Sequence, residues 1–356
     1  MAYLLGVDTG GTYTDAVLIK DDTVIASAKS LTTRHNLARG VSAAVKLVLD
    51  ESKVAPADIS LSSLSTTLAT NALVEGQGAR VCLVFIGFTA KDIARQGLNE
   101  ALGGDPVISI SGGHTHAGYE ANSMDVMALV DALRSLDGDV SGFAVASQFA
   151  TRNPEHEVAA RDIIREVTGA PVTCSHELSA KLGGPKRAMT AVLNSRLIGM
   201  IDHLIGATDD YLQSIGIKAP MMVVRGDGAL ISAETARERP IETILSGPAA
   251  SIVGAQWLTD ETDAFVSDIG GTTTDIAVLR NGRPMLDPQG ARVGGLRTMV
   301  EAVAMRTSGL GGDSEIHVTR DGLQGGLILG PRRVLPISLA AQQFPEVVLP
   351  ALDRQI

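Results

Sequence analysis

The sequence predicts an α/β protein of two domains, and three observations carry that expectation. Apolar runs of strand length alternate with stretches of helical periodicity along most of the chain. The length of 356 residues exceeds what one ordinary core accommodates. One eight-residue pattern also occurs twice, as Asp8-Thr-Gly-Gly-Thr-Tyr-Thr-Asp15 and Asp268-Ile-Gly-Gly-Thr-Thr-Thr-Asp275, identical at six positions. Each copy sits between two short apolar runs, which reads as strand, tight glycine turn, strand.

The elements follow in order. After the first hairpin, Val24 to Ser30 continues as strand. A helix from Asn36 to about Ser52 places Leu37, Val41, Ala44, Val45 and Val48 on one face. Leu61 to Ser65 is a short strand ahead of a capped, helix-like stretch, Thr66 to Gly76. Strands recur at Arg80 to Ile86, Val107 to Ile110, Gly142 to Ser147 and Val172 to Ser175, with helices near 123–136 and 155–168. That alternation favours a mainly parallel sheet with covering helices. A long helix runs from Lys186 to about Ser214, and Gly183-Gly-Pro185 before it marks a boundary between domains 1–183 and 184–356. The second half offers Met221 to Arg225 as strand, Gly247 to Leu258 as helix, and the second hairpin.

Composition excludes several classes of function. A net charge of −10 disfavours general nucleic-acid or anionic-membrane binding, since both need a basic surface. Two cysteines, Cys82 and Cys174, make no disulfide framework and lack metal-ligand spacing; Cys82 reads as a buried strand residue. No uncharged apolar run is long enough to span a bilayer, and no basic leader opens the chain, so a cytoplasmic location is expected.

The paired hairpins are the main candidate site. Glycines let backbone amides approach an anion, and threonine hydroxyls add donors around it. Thr9, Gly10, Gly11, Thr12 and Thr14 in one copy, and Gly270, Gly271, Thr272 and Thr273 in the other, would cradle the phosphates of one nucleotide. Asp8 and Asp268, each ending a strand, would face those phosphates or their magnesium ion, which takes few carboxylates and keeps several waters.

Four further motifs carry two readings each. Thr66 to Glu75 places Thr67 and Asn71 four apart on one helix face, fit either to orient a polar substrate or to cap a core helix. Gly309, Gly311, Gly312 and Asp313 either lie against adenine and ribose or form a turn before the strand Glu315 to Thr319. Ser246-Gly-Pro-Ala-Ala-Ser251 opens a helix, as an anion site or as plain initiation. His114 and His116 could share a transition-metal ion with Glu120 or Asp125, or be ordinary loop histidines. Lys186, Arg187 and Arg196 read as ends of a solvated helix face.

The duplicated Asp-x-Gly-Gly-Thr-x-Thr-Asp resembles the two phosphate motifs of the actin, sugar-kinase and heat-shock-chaperone ATPase superfamily. More narrowly, the chain resembles the ATP-dependent hydantoinase A / 5-oxoprolinase family. The matching segments are Asp8 to Asp15, Ser65 to Glu75, Ser246 to Ala250, Asp268 to Asp275 and Gly309 to Ser314. The resemblance implies two related ribonuclease-H-like domains with a nucleotide cleft between them, and ATP and Mg2+ as cofactors. It implies phosphorylation of a lactam or hydantoin carbonyl, which activates ring opening, with Asp8 and Asp268 catalytic and Thr67 and Asn71 on the substrate. A hydantoinase B-like partner subunit would complete hydrolysis, with room for an oligomer. Larger members carry more chain, so the ring itself is unspecified. A small-molecule kinase of the sugar or acetate type and a nucleotide-responsive binding module are the alternatives.

Overall fold

A computed structural model of the protein describes residues 2–33, 36–136, 138–271, 273–319 and 326–354. Of the expected site residues, Thr272 lies outside the described residues. The chain falls into two compact units. Unit 1 takes Met1–Ala250 with Leu286–Val303, and unit 2 takes Ser251–Met285 with Ala304–Ile356.

Ten strands of unit 1 form two sheets. They are β1 (Tyr3–Thr9), β2 (Tyr13–Lys20), β3 (Thr23–Leu31), β4 (Ile59–Thr66), β5 (Val81–Ile86), β6 (Val107–Ile110), β7 (Gly142–Ser147), β8 (Val172–Cys174), β9 (Met221–Val224) and β10 (Leu230–Ser232). The larger sheet has the order β10-β9-β4-β1-β2-β3, the smaller β6-β5-β7-β8. The expectation of a mainly parallel arrangement holds only for the smaller sheet, whose pairings are all parallel. In the larger sheet β1–β2, β2–β3 and β9–β10 are antiparallel, while β1–β4 and β4–β9 are parallel. The reason lies in the connections. Turns of a few residues can only return a strand antiparallel, whereas parallel neighbours need a crossover.

Side-chain alternation decides which layer each strand serves. In β5 and β7, Leu83, Phe85, Ala144 and Ala146 join the main core with the long helix Gly184–Ser214. Their neighbours Cys82, Val84, Ile86, Phe143 and Val145 turn to a second core under the helices Val126–Arg134 and Glu155–Thr168. All six residues of β5 are buried, as a parallel strand covered on both faces requires. Full burial of each large side chain contributes about 1.5–3 kcal/mol.

The helix Leu37–Ser52 buries Val41, Ala44, Val45 and Val48 against β1, β2 and β3 of the larger sheet. Gly40 permits the approach, because a Cβ there would stand 2.8 Å from Thr14 Oγ1. The helix thereby backs the first glycine turn.

Lys186, Arg187 and Arg196 do not form a solvated face. Residues 187–195 of the long helix are buried all round, so no helical stripe separates wet from dry. Arg187 is 1% exposed, and Arg196 is held by Asp105 at 2.7 Å. Lys186 is half-buried and donates to the Gln289 carbonyl at 2.9 Å.

Unit 2 is built on β11 (Ala264–Ile269), β12 (Thr274–Arg280) and β13 (Arg283–Pro284), paired antiparallel in that order. The strand Met305–Ser308 lies along β12 on the edge away from β11. A separate hairpin pairs Ser314–Thr319 with Gly326–Arg333. No helix among the described residues is long and apolar enough to cross a membrane.

Candidate functional site

Three sequence motifs meet in unit 1. Asp8, next to last in β1, lies opposite Asp15 on β2 and beside Ser65 on β4. The Ser65 hydroxyl donates to Asp8 Oδ1. From the third motif, Ser246 Oγ accepts from Thr66 N (3.2 Å) and donates to the Thr66 carbonyl (2.9 Å). Those two bonds bring Gly247 against the aspartate, where a Cβ would sit 3.7 Å from Asp8 Oδ1 and 3.4 Å from Thr67 Cγ2. Asp8, Ser65, Lys29 and Ala250 line a groove of about 430 Å³, in which Lys29 pairs with Asp15 at 3.1 Å.

The glycine turn is held by its threonines. Gly10 N donates to the Tyr13 carbonyl at 3.0 Å. Thr14 Oγ1 lies 3.0 Å from Thr32 Oγ1, and Thr32 Oγ1 donates to the Gly10 carbonyl at 2.9 Å. Thr9 turns inward, with its hydroxyl on the Ser65 carbonyl at 3.3 Å. Thr12 is exposed at the tip. Beside the turn, Asn71 Nδ2 donates to Thr67 Oγ1 at 3.2 Å, so the expected shared face is realised. Gly10, Gly11, Thr67, Asn71 and Glu75 line a second cavity, of about 310 Å³.

Two motifs meet in unit 2. Asp268 lies opposite Asp275, and Gly270 N donates to the Thr273 carbonyl at 2.9 Å, the same turn bond as in unit 1. The 309–313 loop lies against this turn. Gly312 N donates to the Gly270 carbonyl (3.0 Å), and Asp313 N to that of Gly271 (2.8 Å). Thr274 Oγ1 donates to the Leu310 carbonyl at 2.7 Å. Gly309 precedes this loop, and Gly311 N is held by Ser314 Oγ at 3.0 Å. Asp275 Oδ1 is buried without a hydrogen-bond partner.

A third polar cluster, missed from the sequence, lies at the carboxyl ends of β7 and β8. Glu157 is fully buried and accepts from Ser147 N (2.8 Å), Ser175 Oγ (2.6 Å), His176 N (2.9 Å) and His176 Nδ1 (2.6 Å). Arg187 donates to Ser175 Oγ at 3.2 Å and the Ser147 carbonyl at 3.1 Å. Burial lowers the affinity of Arg187 for its proton, and Glu157 opposes that shift. Glu157, Cys174 and His176 have metal-ligand chemistry. However, the His176–Glu157 contact is a hydrogen bond with no space for an ion inside it. The Cys174 thiol, pushed up by burial and then by Glu157, stays protonated. We read the cluster as a pin between strands; breaking such a buried charged network costs about 3–5 kcal/mol. Glu157 gave no sequence signal beyond that of an acidic residue in a first helical turn.

His114 and His116 part ways. His116 is exposed, whereas His114 is buried and its ring centroid lies 4.3 Å from that of His156, the two planes tilted by 41°. Burial, then the neighbouring His156, lowers the His114 pKa and favours neutral imidazole. Neither His114 nitrogen has a hydrogen-bond partner. Glu120 faces His156 at 3.2 Å, and Asp125 is spent capping Val126–Arg134 through Ala128 N.

Comparison with known proteins places these motifs in context. A family model described as the hydantoinase/oxoprolinase N-terminal region matches residues 4–168, and one described as hydantoinase/oxoprolinase matches 187–334. The chain is 29% identical to the acetophenone carboxylase gamma subunit of Aromatoleum aromaticum, over 92% of this chain and 49% of that protein. It is 26% identical to the caprolactamase subunit alpha of Pseudomonas jessenii, over 93% of this chain and 50% of that one. The crystal structure of the ATP-dependent caprolactamase from Pseudomonas jessenii superposes with a TM-score of 0.77 at 25% identity, covering 93% of this chain and 51% of that one. Nucleotide-free acetone carboxylase, at 23% identity and a TM-score of 0.74 over 93% and 51% of the two chains, shares the fold. The chain therefore spans about half the length of these relatives.

Proposed function

Because the chain belongs to the hydantoinase/oxoprolinase family, we propose that it is the ATP-using subunit of an enzyme that activates a carbonyl oxygen by phosphorylation, on a cyclic amide. The observation that carries this reading is the convergence around Asp8. Motifs from positions 8–15, 65–67 and 246–250, remote in sequence, condense onto one carboxylate and one glycine turn.

In this reading each glycine hairpin is a grip for phosphate. The Gly10, Gly11, Gly270 and Gly271 backbone, with Thr12 and Thr273, contacts phosphate oxygens. Thr9, Thr14 and Thr274 hold the turns in shape. Gly309, Gly311, Gly312 and Asp313 take the nucleoside end. The order β3-β2-β1-β4, with β2 antiparallel to both neighbours, suits a ribonuclease-H-like domain of the actin and sugar-kinase type. Residues 1–183 and 184–356 then form the two functional halves.

Asp8 and Asp268 would hold magnesium, and the buried, unpartnered oxygen of Asp275 suits a site that a cation completes. Bound magnesium would neutralise charge on the phosphates. Thr67 and Asn71, which line the cavity beside the first glycine turn, would orient the cyclic amide through hydrogen bonds. Positioning and fixed dipoles, not covalent participation, lower the barrier. A hydantoinase B-like partner subunit would then receive the activated ring.

Relatives named as carboxylases favour a second reading in which the activated carbonyl belongs to a ketone. Release of ADP separates the two. The assay pairs the protein with a candidate partner subunit and supplies hydantoin, 5-oxoproline and caprolactam in turn, then a ketone with bicarbonate. Stimulation by a cyclic amide supports the first reading, and stimulation by the ketone alone supports the second. A stable phosphorylated product made without a partner points instead to a small-molecule kinase. Nucleotide-gated partner binding without turnover points to a binding module.

A further inference from the structure

We propose that a cavity at the carboxyl ends of β5 and β7 binds a small planar carboxylic acid, one ring bearing one carboxylate, whose anion seats on Arg187. This site is independent of the nucleotide reading. None of its lining residues lines the Asp8 groove or the cavity beside the first glycine turn.

The topology of the smaller sheet places it. In the order β6-β5-β7-β8, the chain leaves β5 for β6 on one side and then crosses to β7 on the other. Open parallel sheets bind ligands outside the carboxyl ends of their strands at such a reversal. Phe88, two residues past β5, and Gln148 and Phe149, directly after β7, line a cavity of about 230 Å³ there. Pockets for drug-sized ligands take about 300–1,000 Å³, so this one suits a single ring.

Both phenyl groups are set by the fold itself. Phe88 stacks on the buried Phe85, with centroids 4.1 Å apart and planes 15° from parallel. A Cβ on Gly184 would collide with the Phe88 ring, so glycine lets the start of the long helix lie against it. Phe149 has φ of 57°, in the left-handed region that a bulky side chain seldom occupies. The surrounding turn enforces it. Arg152 N donates to the Phe149 carbonyl at 2.8 Å, and Gln148 N to that of Ile86 at 3.0 Å. Backbone strain of this kind gathers at ligand clamps.

The polar groups select the charge. Arg187, 1% exposed, lies at the base, and no carboxylate among the described residues reaches ion-pair distance of it. Buried charges are ordinarily paired. Its three hydrogen bonds go to uncharged groups, the Ser175 hydroxyl and the Lys181 and Ser147 carbonyls, and leave two of the five guanidinium N–H groups unused. Glu157 does not answer that charge by contact. Ser147 N, Ser175 Oγ, His176 N and His176 Nδ1 already fill its carboxylate. At the mouth, Arg95 is taken by Asp92 at 3.2 Å. One available cation suits a carboxylate monoanion better than a phosphate dianion. The half-buried Gln148 amide, without a hydrogen-bond partner among the described residues, adds a further donor.

Calorimetry and saturation-transfer NMR on the purified chain, without nucleotide, test the site with benzoate, benzamide and inorganic phosphate as probes. We expect benzoate to bind with a Kd of about 1 mM or tighter, benzamide about tenfold more weakly, and phosphate not to compete. Phe149→Gly relieves the left-handed strain, and Gln148→Ala removes an unpartnered amide. Each keeps native circular dichroism and weakens benzoate about tenfold. Arg187→Met abolishes binding where it folds, and Arg95→Ala leaves binding unchanged. The proposal is overturned by an absence of millimolar benzoate binding, by equal affinity for benzamide, by competition from phosphate, or by binding indifferent to Phe149→Gly and Gln148→Ala.

Discussion

The two glycine hairpins share six of eight residues, yet they are supported in different ways. The first belongs to β1, an interior strand between β2 and β4, with Leu5 and Val7 buried beneath it. Its aspartate is bonded by a hydroxyl from the next strand, and its turn is closed by the Thr14–Thr32–Gly10 chain. The second belongs to β11, which pairs only with β12 among the described residues and exposes Phe265 (83%) and Ile269 (69%). Its turn is closed by a loop, through bonds from residues 312 and 313 and to residue 310. The same motif is held by a sheet in one unit and by a glycine-rich loop in the other. Even Thr9 and Ile269, at matching positions, differ in fate. Thr9 is buried and hydrogen-bonded, while Ile269 faces solvent.

Removal of the carboxylates probes whether that difference matters to function. Asp8→Ala and Asp268→Ala are each expected to lower magnesium-dependent ATP turnover by about 100-fold or more, with native circular dichroism. A large effect of one and none of the other would break the functional equivalence of the hairpins.

Ser65→Ala removes the hydroxyl that orients Asp8, a support that β11 gains from no neighbouring parallel strand. We expect magnesium affinity to fall roughly tenfold, in line with the loss of a group that positions a metal ligand. Titration of magnesium against ATP binding measures it.

Glycine-to-alanine changes sharpen the comparison further. A Cβ on Gly271 would stand 3.1 Å from Asp313 Oδ2, so Gly271→Ala should displace that carboxylate and weaken nucleotide binding several-fold. The matching Cβ on Gly11 meets only Asn71 Nδ2 at 3.8 Å, an ordinary contact. Gly11→Ala should leave the melting temperature unchanged. Equal effects of the two changes on stability would count against loop support as the distinguishing feature.

Thr32→Val interrupts the hydroxyl chain of the first turn and should cost about 1 kcal/mol of unit 1 stability, read by denaturant melts. The smallest effect concerns the thiols. Burial pushes Cys82 up to about 12 and Cys174 higher still, so both remain protonated at pH 8 and resist alkylation. Because both lie in unit 1, Gly271→Ala should leave that protection intact. Rapid labelling in that variant would show that the damage spreads beyond the second hairpin.

Much of the fold was legible because apolar periodicity reports burial on one face. Glu155–Thr168 ends where the periodicity predicts, and Leu37–Ser52 buries four of the five predicted residues, Val41, Ala44, Val45 and Val48, with Leu37 half-buried at its start. Periodicity failed at Arg187, since a helix buried on every side carries no stripe to read. In the larger sheet the β1–β2 hairpin was legible from its glycine turn, whereas the alternation that favoured a mainly parallel sheet says nothing about the antiparallel strands β3 and β10 added beside it. Glu157 was invisible for another reason. Its partners, Ser147, Ser175 and His176, follow or end two other strands, and Arg187 of a separate helix reaches the cluster through Ser175.

By itself the sequence determined the local chemistry. It set where glycine permits a turn, where an aspartate ends a strand, and which segments are apolar enough to form a core. Those properties depend on neighbours along the chain, within reach of a few backbone torsions. Only the tertiary structure decided which motifs meet. It joined Asp8 to Ser65 and Ser246, seated Gly271 against Asp313, and left His114 beside His156 and Glu155 rather than His116. Such meetings are set by sheet order and register, where a shift of one residue would turn every side chain to the opposite face.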